Sequence, residues 1–180
     1  MEFNVAPTLT TPRLRLRPHR TDDLAACVEL WQDPVVTRHT SGKALSRQDV
    51  WTRLLRHPGH WALLGFGYWV LEERGSDRFV GEVGLGHFKR DVLAGHPELA
   101  ALPEAGWVLL PWAHGQGYAH EAVKAVLDWR DEHLPGHQTF CLIQPDNAPS
   151  LRLAAKVGFV ECGSVGEDVD QVRLLTRQTR

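Results

Sequence analysis

The run His114-Gly115-Gln116-Gly117-Tyr118-Ala119 lies between a strand-like segment, Glu104–Leu110, and a helix-like one, and it is the most chemically suggestive stretch of the chain. Glycines at 115 and 117 let the backbone approach a ligand closely. The free N–H groups of a first helical turn, backed by the helix dipole, make an anion site suited to a pyrophosphate. The run lacks the Lys-Ser or Lys-Thr pair of a P-loop, so it carries no sign of a magnesium-held nucleoside triphosphate, and it lacks the G-x-G-x-x-G spacing of a dinucleotide fold. Taken alone, such a junction is equally a tight turn that needs positive φ. A second polar element follows: Asn147-Ala148-Pro149-Ser150 at a helix start, then Lys156-Val157-Gly158-Phe159. Asn147 suits a helix N-cap and a ligand contact alike.

Strands and helices must present these residues. Arg13 to Arg17 alternates basic and apolar, the period of a half-buried strand. Thr21 reads as an N-cap, followed by a helical stripe of Leu24, Cys27, Val28 and Trp31. A second helix is expected from Ser46, through Val50, Trp51, Leu54 and Leu55, to Pro58-Gly59. Phe66–Glu73 and Phe79–Phe88, separated by Arg74-Gly75-Ser76-Asp77, predict a hairpin. Lys89 to Pro103 reads as a long loop, with room for one helical turn, placed to cover a substrate. After the glycine run, Ala119, Ala122, Val123, Val126 and Leu127 form a helical stripe that Pro135-Gly136 ends. Thr139–Ile143 is a short buried strand, Asn147 to Gly158 a helix, and Phe159–Val165 with Gln171–Thr176 a closing hairpin over a Gly-Glu-Asp turn. Trp61, Trp69 and Trp107 fall in strand regions and read as core, whereas Trp112 is placed to pack beside a ligand.

Composition narrows the function classes. With 180 residues and 43% apolar content, one domain can bury a core without disulfides or metals. The formal charge of -2, with scattered Lys and Arg, predicts no nucleic-acid partner. The start has no basic n-region, and no run of apolar residues is long enough to span a bilayer, so no membrane association and a soluble, cytoplasmic location are expected. Cys27, Cys141 and Cys162 are odd in number, far apart and in apolar contexts, as reduced core thiols are. His57-Pro58-Gly59-His60 and His133-Leu134-Pro135-Gly136-His137 are clustered, but Pro-Gly interrupts both, so no metal site is expected. A homodimer is left open.

The ordered set of motifs resembles the GNAT superfamily of N-acetyltransferases, in the branch of the RimJ and RimL ribosomal-protein N-terminal acetyltransferases. Thr11-Pro12-Arg13-Leu14-Arg15-Leu16-Arg17 looks like that branch's opening strand, Glu104-Ala105-Gly106-Trp107-Val108-Leu109 like its strand before the pyrophosphate loop, and Gly117-Tyr118-Ala119-His120-Glu121-Ala122 like its loop-to-helix junction. Asn147-Ala148-Pro149-Ser150 and Gly158-Phe159 resemble its C-terminal signature.

The resemblance implies one α/β (α+β) domain over residues 1–180. Its mixed, mainly antiparallel sheet would have six to seven strands, with about four flanking helices and two splayed parallel strands, Glu104–Leu110 and Thr139–Ile143. It implies acetyl-CoA as acyl donor, without a metal, and a primary amine of a small molecule or a protein N-terminus as acceptor. By carry-over, backbone groups of Trp107, Val108 and Leu109 hold the pantetheine. The amides of Gly115, Gln116, Gly117, Tyr118 and Ala119 hold the pyrophosphate, and Asn147 bonds near the pantetheine.

Two departures stand out: His114 replaces a usual Arg or Gln, and Ala154 replaces a Tyr that can protonate the departing thiolate. Ser150 is the substitute acid that the RimL-like pattern suggests. Glu104, which opens the strand beside the thioester, is the first candidate base, with Glu82 and His87 as neighbours. A base matters because a lysine-like amine has a pKa of about 10.4 whereas a thiolate like that of cysteine leaves with a pKa of about 8.5. The same residues also permit a binding module that holds acyl-CoA without turnover.

Overall fold

In the computed structural model, residues 3–134, 138–166 and 171–178 are described. Their eight strands are β1 (Leu9–Thr10), β2 (Leu14–Arg17), β3 (Tyr68–Glu73), β4 (Phe79–Gly86), β5 (Glu104–Leu109), β6 (Thr139–Ile143), β7 (Val160–Val165) and β8 (Val172–Arg177). They form one sheet in the order β1-β2-β3-β4-β5-β6-β8-β7. Neighbours are antiparallel except β5 and β6, which are parallel. The helices are α1 (Leu24–Gln32), α2 (Pro34–Thr37), α3 (Arg47–Leu64), α4 (Pro97–Ala100), α5 (Tyr118–His133) and α6 (Ala148–Lys156). The eighth strand is the two-residue β1, and the two additional helices are four residues each, too short to leave a periodic pattern.

The alternation of β2 is realised: Leu14 and Leu16 are fully buried, while Arg17 on the opposite face is buried against Asp23 and Glu72. Thr21 does not cap α1. A 3₁₀ turn at Thr21–Asp23 leads into the helix, and the Asp23 carboxylate accepts the Arg20 amide at 2.7 Å together with two Arg17 bonds. Asp23 stands at the N-cap position of α1, but its side chain is held by the buried Arg17 guanidinium and the Arg20 amide rather than by the helix, a contact invisible in local sequence.

Ser46 caps α3 as expected, accepting from the Asp49 amide at 3.1 Å. The helix does not stop at Pro58-Gly59, however, and runs to Leu64, where Gly65 at φ 74° ends it. Pro58 removes one intrahelical N–H, but His57, His60 and Trp61 on either side of it are buried, and that packing outweighs the missing bond. Trp61 is therefore helical rather than in a strand. It meets Trp69 and Trp129 edge-on at 4.7 and 5.3 Å between ring centroids.

The main core joins the α5 stripe Ala122, Val123, Val126 and Leu127 to Leu14, Leu16, Leu71, Val83, Leu85, Ala105 and Leu109 of the sheet. A second cluster joins Cys27, Leu30 and Trp31 of α1 to Val50 and Leu54 of α3 and Leu110 after β5, with Val108 packed against it. The segment 89–103 carries a 3₁₀ turn (Asp91–Leu93) and α4, anchored by Leu93 and Leu99 on Phe140, Val165 and Leu174. Cys27 and Cys141 are buried thiols, pushed up by burial, but Cys162 is exposed, because β7 is the outer strand and presents it to solvent. Pro135-Gly136, His137 and the Glu167-Asp168 part of the last turn lie outside the described residues.

Candidate active site

Strands β5 and β6 share one registered pair, Glu104 with Phe140, and the Phe140 amide donates to the Pro103 carbonyl at 3.2 Å. Beyond that pair the strands part. The Leu110 amide donates to Val80, so the even-numbered backbone groups of this stretch face β4. Alternation then turns the N–H and C=O of Trp107 toward the gap. A cavity of about 780 Å³ occupies it, lined among others by Glu104, Trp107, Val108, Asn147 and Ser150. Glu104, Trp107, Asn147 and Ser150 therefore converge as singled out from sequence; Val108 lines the cavity too, but its backbone, expected to hold the pantetheine, faces β4, and the Leu109 carbonyl is taken by His114.

The glycine run follows β5 but does not line this cavity. Gly115 and Gly117 have φ of 73° and 82°, the left-handed region that glycine enters without strain. Among the described residues no side chain caps α5, and the Glu121 amide closes its first turn on the Gly117 carbonyl at 3.1 Å. The first amides of a sixteen-residue helix are thus left for an anion. His114 folds back so that Nε2 meets the Leu109 carbonyl at 2.8 Å, which pins the loop to the end of β5. Arg13 donates to the Gln116 carbonyl at 2.8 Å and to Glu121 at 2.7 Å, and Thr11 donates to the same carboxylate at 2.6 Å. Burial alone would raise Glu121, but the Thr11 and Arg13 bonds hold it below the usual carboxylate range. Glu121 ties the opening strand to α5, a role the sequence reading did not find.

The cavity brings side chains together. Both oxygens of Glu104 accept from Arg90, each at 2.7 Å. The Asn147 side chain accepts the Ser150 amide at 3.2 Å, and Trp107 Nε1 donates to Ser150 Oγ at 3.3 Å. Ala154 is fully buried in the α5 core and offers nothing to the cavity. Glu82 does not line the cavity. It is sealed behind Trp31, accepting Trp31 Nε1 and His19 Nε2 at 2.9 Å each. His87 lines a smaller neighbouring cavity of about 340 Å³, which shares Arg90 and Glu104 with the larger one. Trp112 carries the Arg78 guanidinium 3.7 Å above its ring.

Pro58-Gly59 does not separate His57 from His60, since both lie in α3, but their partners differ. His60 meets the His87 carbonyl at 3.4 Å, whereas His57 stacks on His19 at 4.3 Å and on Tyr68 at 5.0 Å. Among the described residues His19, His57 and Glu82 bring ligand-type atoms within 4.8 Å of one another, but the two rings lie stacked, as packing partners do.

Tyr68, Arg53, Arg90 and Trp31 also line the large cavity and were not anticipated. One signal was available for Tyr68. Gly106 lies opposite it, and a Cβ there would fall 2.1 Å from the Tyr68 hydroxyl, so the glycine makes room for that ring. Burial, followed by the nearby Glu104 charge, pushes the Tyr68 phenol up.

The family described as "Acetyltransferase (GNAT) domain" matches residues 13–160. The chain belongs to the GNAT acetyltransferase family. It is 29% identical over 160 residues to the uncharacterized protein YkkB of Bacillus subtilis, covering 87% of each chain. A putative GNAT-family acetyltransferase from Bordetella pertussis superposes with a TM-score of 0.83 at 29% identity, over 96% of this chain and 99% of that one. RimL, the ribosomal L7/L12 α-N-protein acetyltransferase solved with coenzyme A, shares the GNAT fold at a TM-score of 0.75 and 12% identity, over 96% and 98% of the two chains. As a GNAT acetyltransferase this chain is an acyltransferase that uses acetyl-CoA.

Proposed function

We propose that the protein transfers an acetyl group from acetyl-CoA to a primary amine, of a small molecule or of a protein N-terminus, in the gap between β5 and β6. The observation that carries this reading is the single cavity on which Glu104, Trp107, Asn147 and Ser150 converge, with the uncapped start of α5 following the strand β5 that borders it. The amides of Gly115 to Ala119 would hold the pyrophosphate, and the outward backbone of Trp107 and the Asn147 side chain would hold the pantetheine. Acetyl-CoA supplies an activated thioester.

The acceptor nitrogen must be neutral to attack that carbonyl, and Glu104 takes its proton, directly or through a water. The carboxylate can do so while paired, because each oxygen keeps a lone pair beyond its Arg90 bond. The C–S bond then breaks, and Ser150 Oγ–H donates to the departing sulfur, with Trp107 Nε1 steadying the hydroxyl oxygen. A cytoplasmic location is part of the proposal, and among the described residues no helix is long and apolar enough to cross a membrane.

The test is free-thiol release from acetyl-CoA with a panel of amines and N-terminal peptides, with the acetylated product identified by mass spectrometry. Thiol release that depends on the amine supports the proposal. Tight acetyl-CoA binding without turnover on any amine would instead make the chain an acyl-CoA-binding module.

A further inference from the structure

We infer that the acceptor amine carries a carboxylate, which is seated on Arg53 at the α3 wall of the cleft; this rests on the acetyl-transfer reading above. Arg53 lines the same cavity as Glu104 and Ser150, with its guanidinium 3.7 Å above the Trp31 ring. Among the described residues it has no ion pair, and its Nε is buried without a hydrogen-bond partner. A guanidinium that lines a cavity without a counter-charge among the described residues is matched when a ligand brings one. The acids nearby are already engaged. Glu104 gives both oxygens to Arg90, and Glu82, behind Trp31, gives its oxygens to His19 and Trp31.

Arg56, on the next turn of α3, adds a second guanidinium without an acidic partner among the described residues, lying over Phe88 at 5.0 Å. Burial first and the Arg53 charge next hold Arg56 below its ordinary value, so the two cations feel each other. The acceptor end thus has two arginines, Arg53 and Arg90, lining the cleft with one carboxylate, Glu104, while Arg56 lies outside the lining and adds its charge from α3.

That field opposes a purely cationic acceptor and suits one that brings its own negative charge. A carboxylate can meet the two terminal nitrogens of Arg53, which carry no hydrogen bond among the described residues and are not buried, end-on with two N–H bonds, the strong geometry for a guanidinium. The same cations lower the pKa of an amine bound beside them and so favour the neutral nucleophile. A small amino acid with a free carboxylate satisfies all three conditions.

The experiment measures acetyl transfer to free amino acids, to the matching amino-acid amides and to spermidine, with wild type, Arg53→Met and Arg53→Lys, each checked for an unchanged melting temperature. Wild type is expected to favour the free acids over the amides by about tenfold or more in kcat/KM, mainly through KM, as fits a charge-assisted bidentate contact. Arg53→Met should erase the preference with acetyl-CoA affinity unchanged, and Arg53→Lys should keep part of it. Amides or spermidine performing as well as the acids, or a preference that survives in Arg53→Met, overturns the inference.

If none of these amines is acetylated, calorimetry with CoA plus N-acetyl amino acids decides. Preferential binding of the acids over their amides, lost in Arg53→Met, supports the inference, and equal or absent binding overturns it. Failure of the acetyl-transfer reading itself appears separately, as wild type that binds acetyl-CoA without releasing thiol on any amine or N-terminal peptide of the panel, or that does not bind acetyl-CoA.

Discussion

At the start of α5, the groups that would meet a ligand are backbone amides, placed by two glycines with positive φ and a helix that no side chain caps among the described residues. At the acceptor end they are side chains drawn from four distant segments: Arg53 of α3, Tyr68 of β3, Arg90 of the segment before α4, and Glu104 of β5. A site made of amides needs only a backbone shape, so His114 can stand where the family usually has Arg or Gln and still serve by pinning the loop to Leu109. A site made of side chains depends on each identity and on every contact that aims it. The first kind tolerates sequence change around a constant task, and the second is where an acceptor is chosen.

Substituting each end should therefore produce separable defects. Gly117→Val is expected to have the largest effect. It forces a β-branched residue to φ 82°, and its Cβ would lie 3.3 Å from an Arg13 nitrogen. With roughly 1–3 kcal/mol of backbone strain added to the loss of the amide geometry, acetyl-CoA affinity should fall by about 100-fold in calorimetry. Acceptor preference should be unchanged, and unaltered affinity would remove the loop from the cofactor site.

Glu104→Gln comes next, from the opposite end. Turnover should fall by about 100-fold at low pH, the lower end of what a general base contributes, and the deficit should shrink as pH rises and the free amine becomes neutral by itself. Acetyl-CoA affinity should hold. A pH–rate profile of wild-type shape and height would rule the carboxylate out as base.

Glu82→Gln sharpens the contrast through the wall behind the acceptor end. Burial alone would raise Glu82, but its hydrogen bond with His19 and the nearby His57 hold it below the usual carboxylate range. A carboxyl depressed in the folded state stabilises the protein above the unfolded value of ~4.3, and this contribution is lost as pH falls through the depressed folded one. The variant should be less stable by roughly 2 kcal/mol at neutral pH, with the gap narrowing in acid. Denaturant unfolding at several pH values checks it, and a gap independent of pH would show that the charge of Glu82 contributes nothing.

The smallest effects are expected where the ends meet, at the start of α6. Asn147→Ala should cost ~1 kcal/mol of stability through the lost cap and weaken acetyl-CoA binding with it. Ser150→Ala should lower kcat only a few-fold, because the thiolate already leaves tolerably with a pKa of about 8.5. Full kcat in Ser150→Ala would make the serine structural.

The sequence by itself determined what is local. The alternation of Leu14 and Leu16, the Ser46 cap, the α5 stripe, the glycines before it and the Asn147 cap are written in neighbouring residues, because the backbone conformation there depends on positions a few residues apart. The ordered motifs carried the family for the same reason.

Local rules failed where burial intervened. Pro58-Gly59 should stop a helix, yet buried His57, His60 and Trp61 carry α3 across it; Thr21 has the right type for a cap, yet Asp23 is the residue held by Arg17. Tertiary structure alone decided the splay of β5 from β6, the pairing of Glu104 with Arg90, the tie from Arg13 to Glu121, the sealing of Glu82 behind Trp31 and an Arg53 with no ion pair among the described residues. In each of these a charge or a strand edge meets a partner from another element, and its desolvation and pairing depend on how the whole sheet and its helices pack.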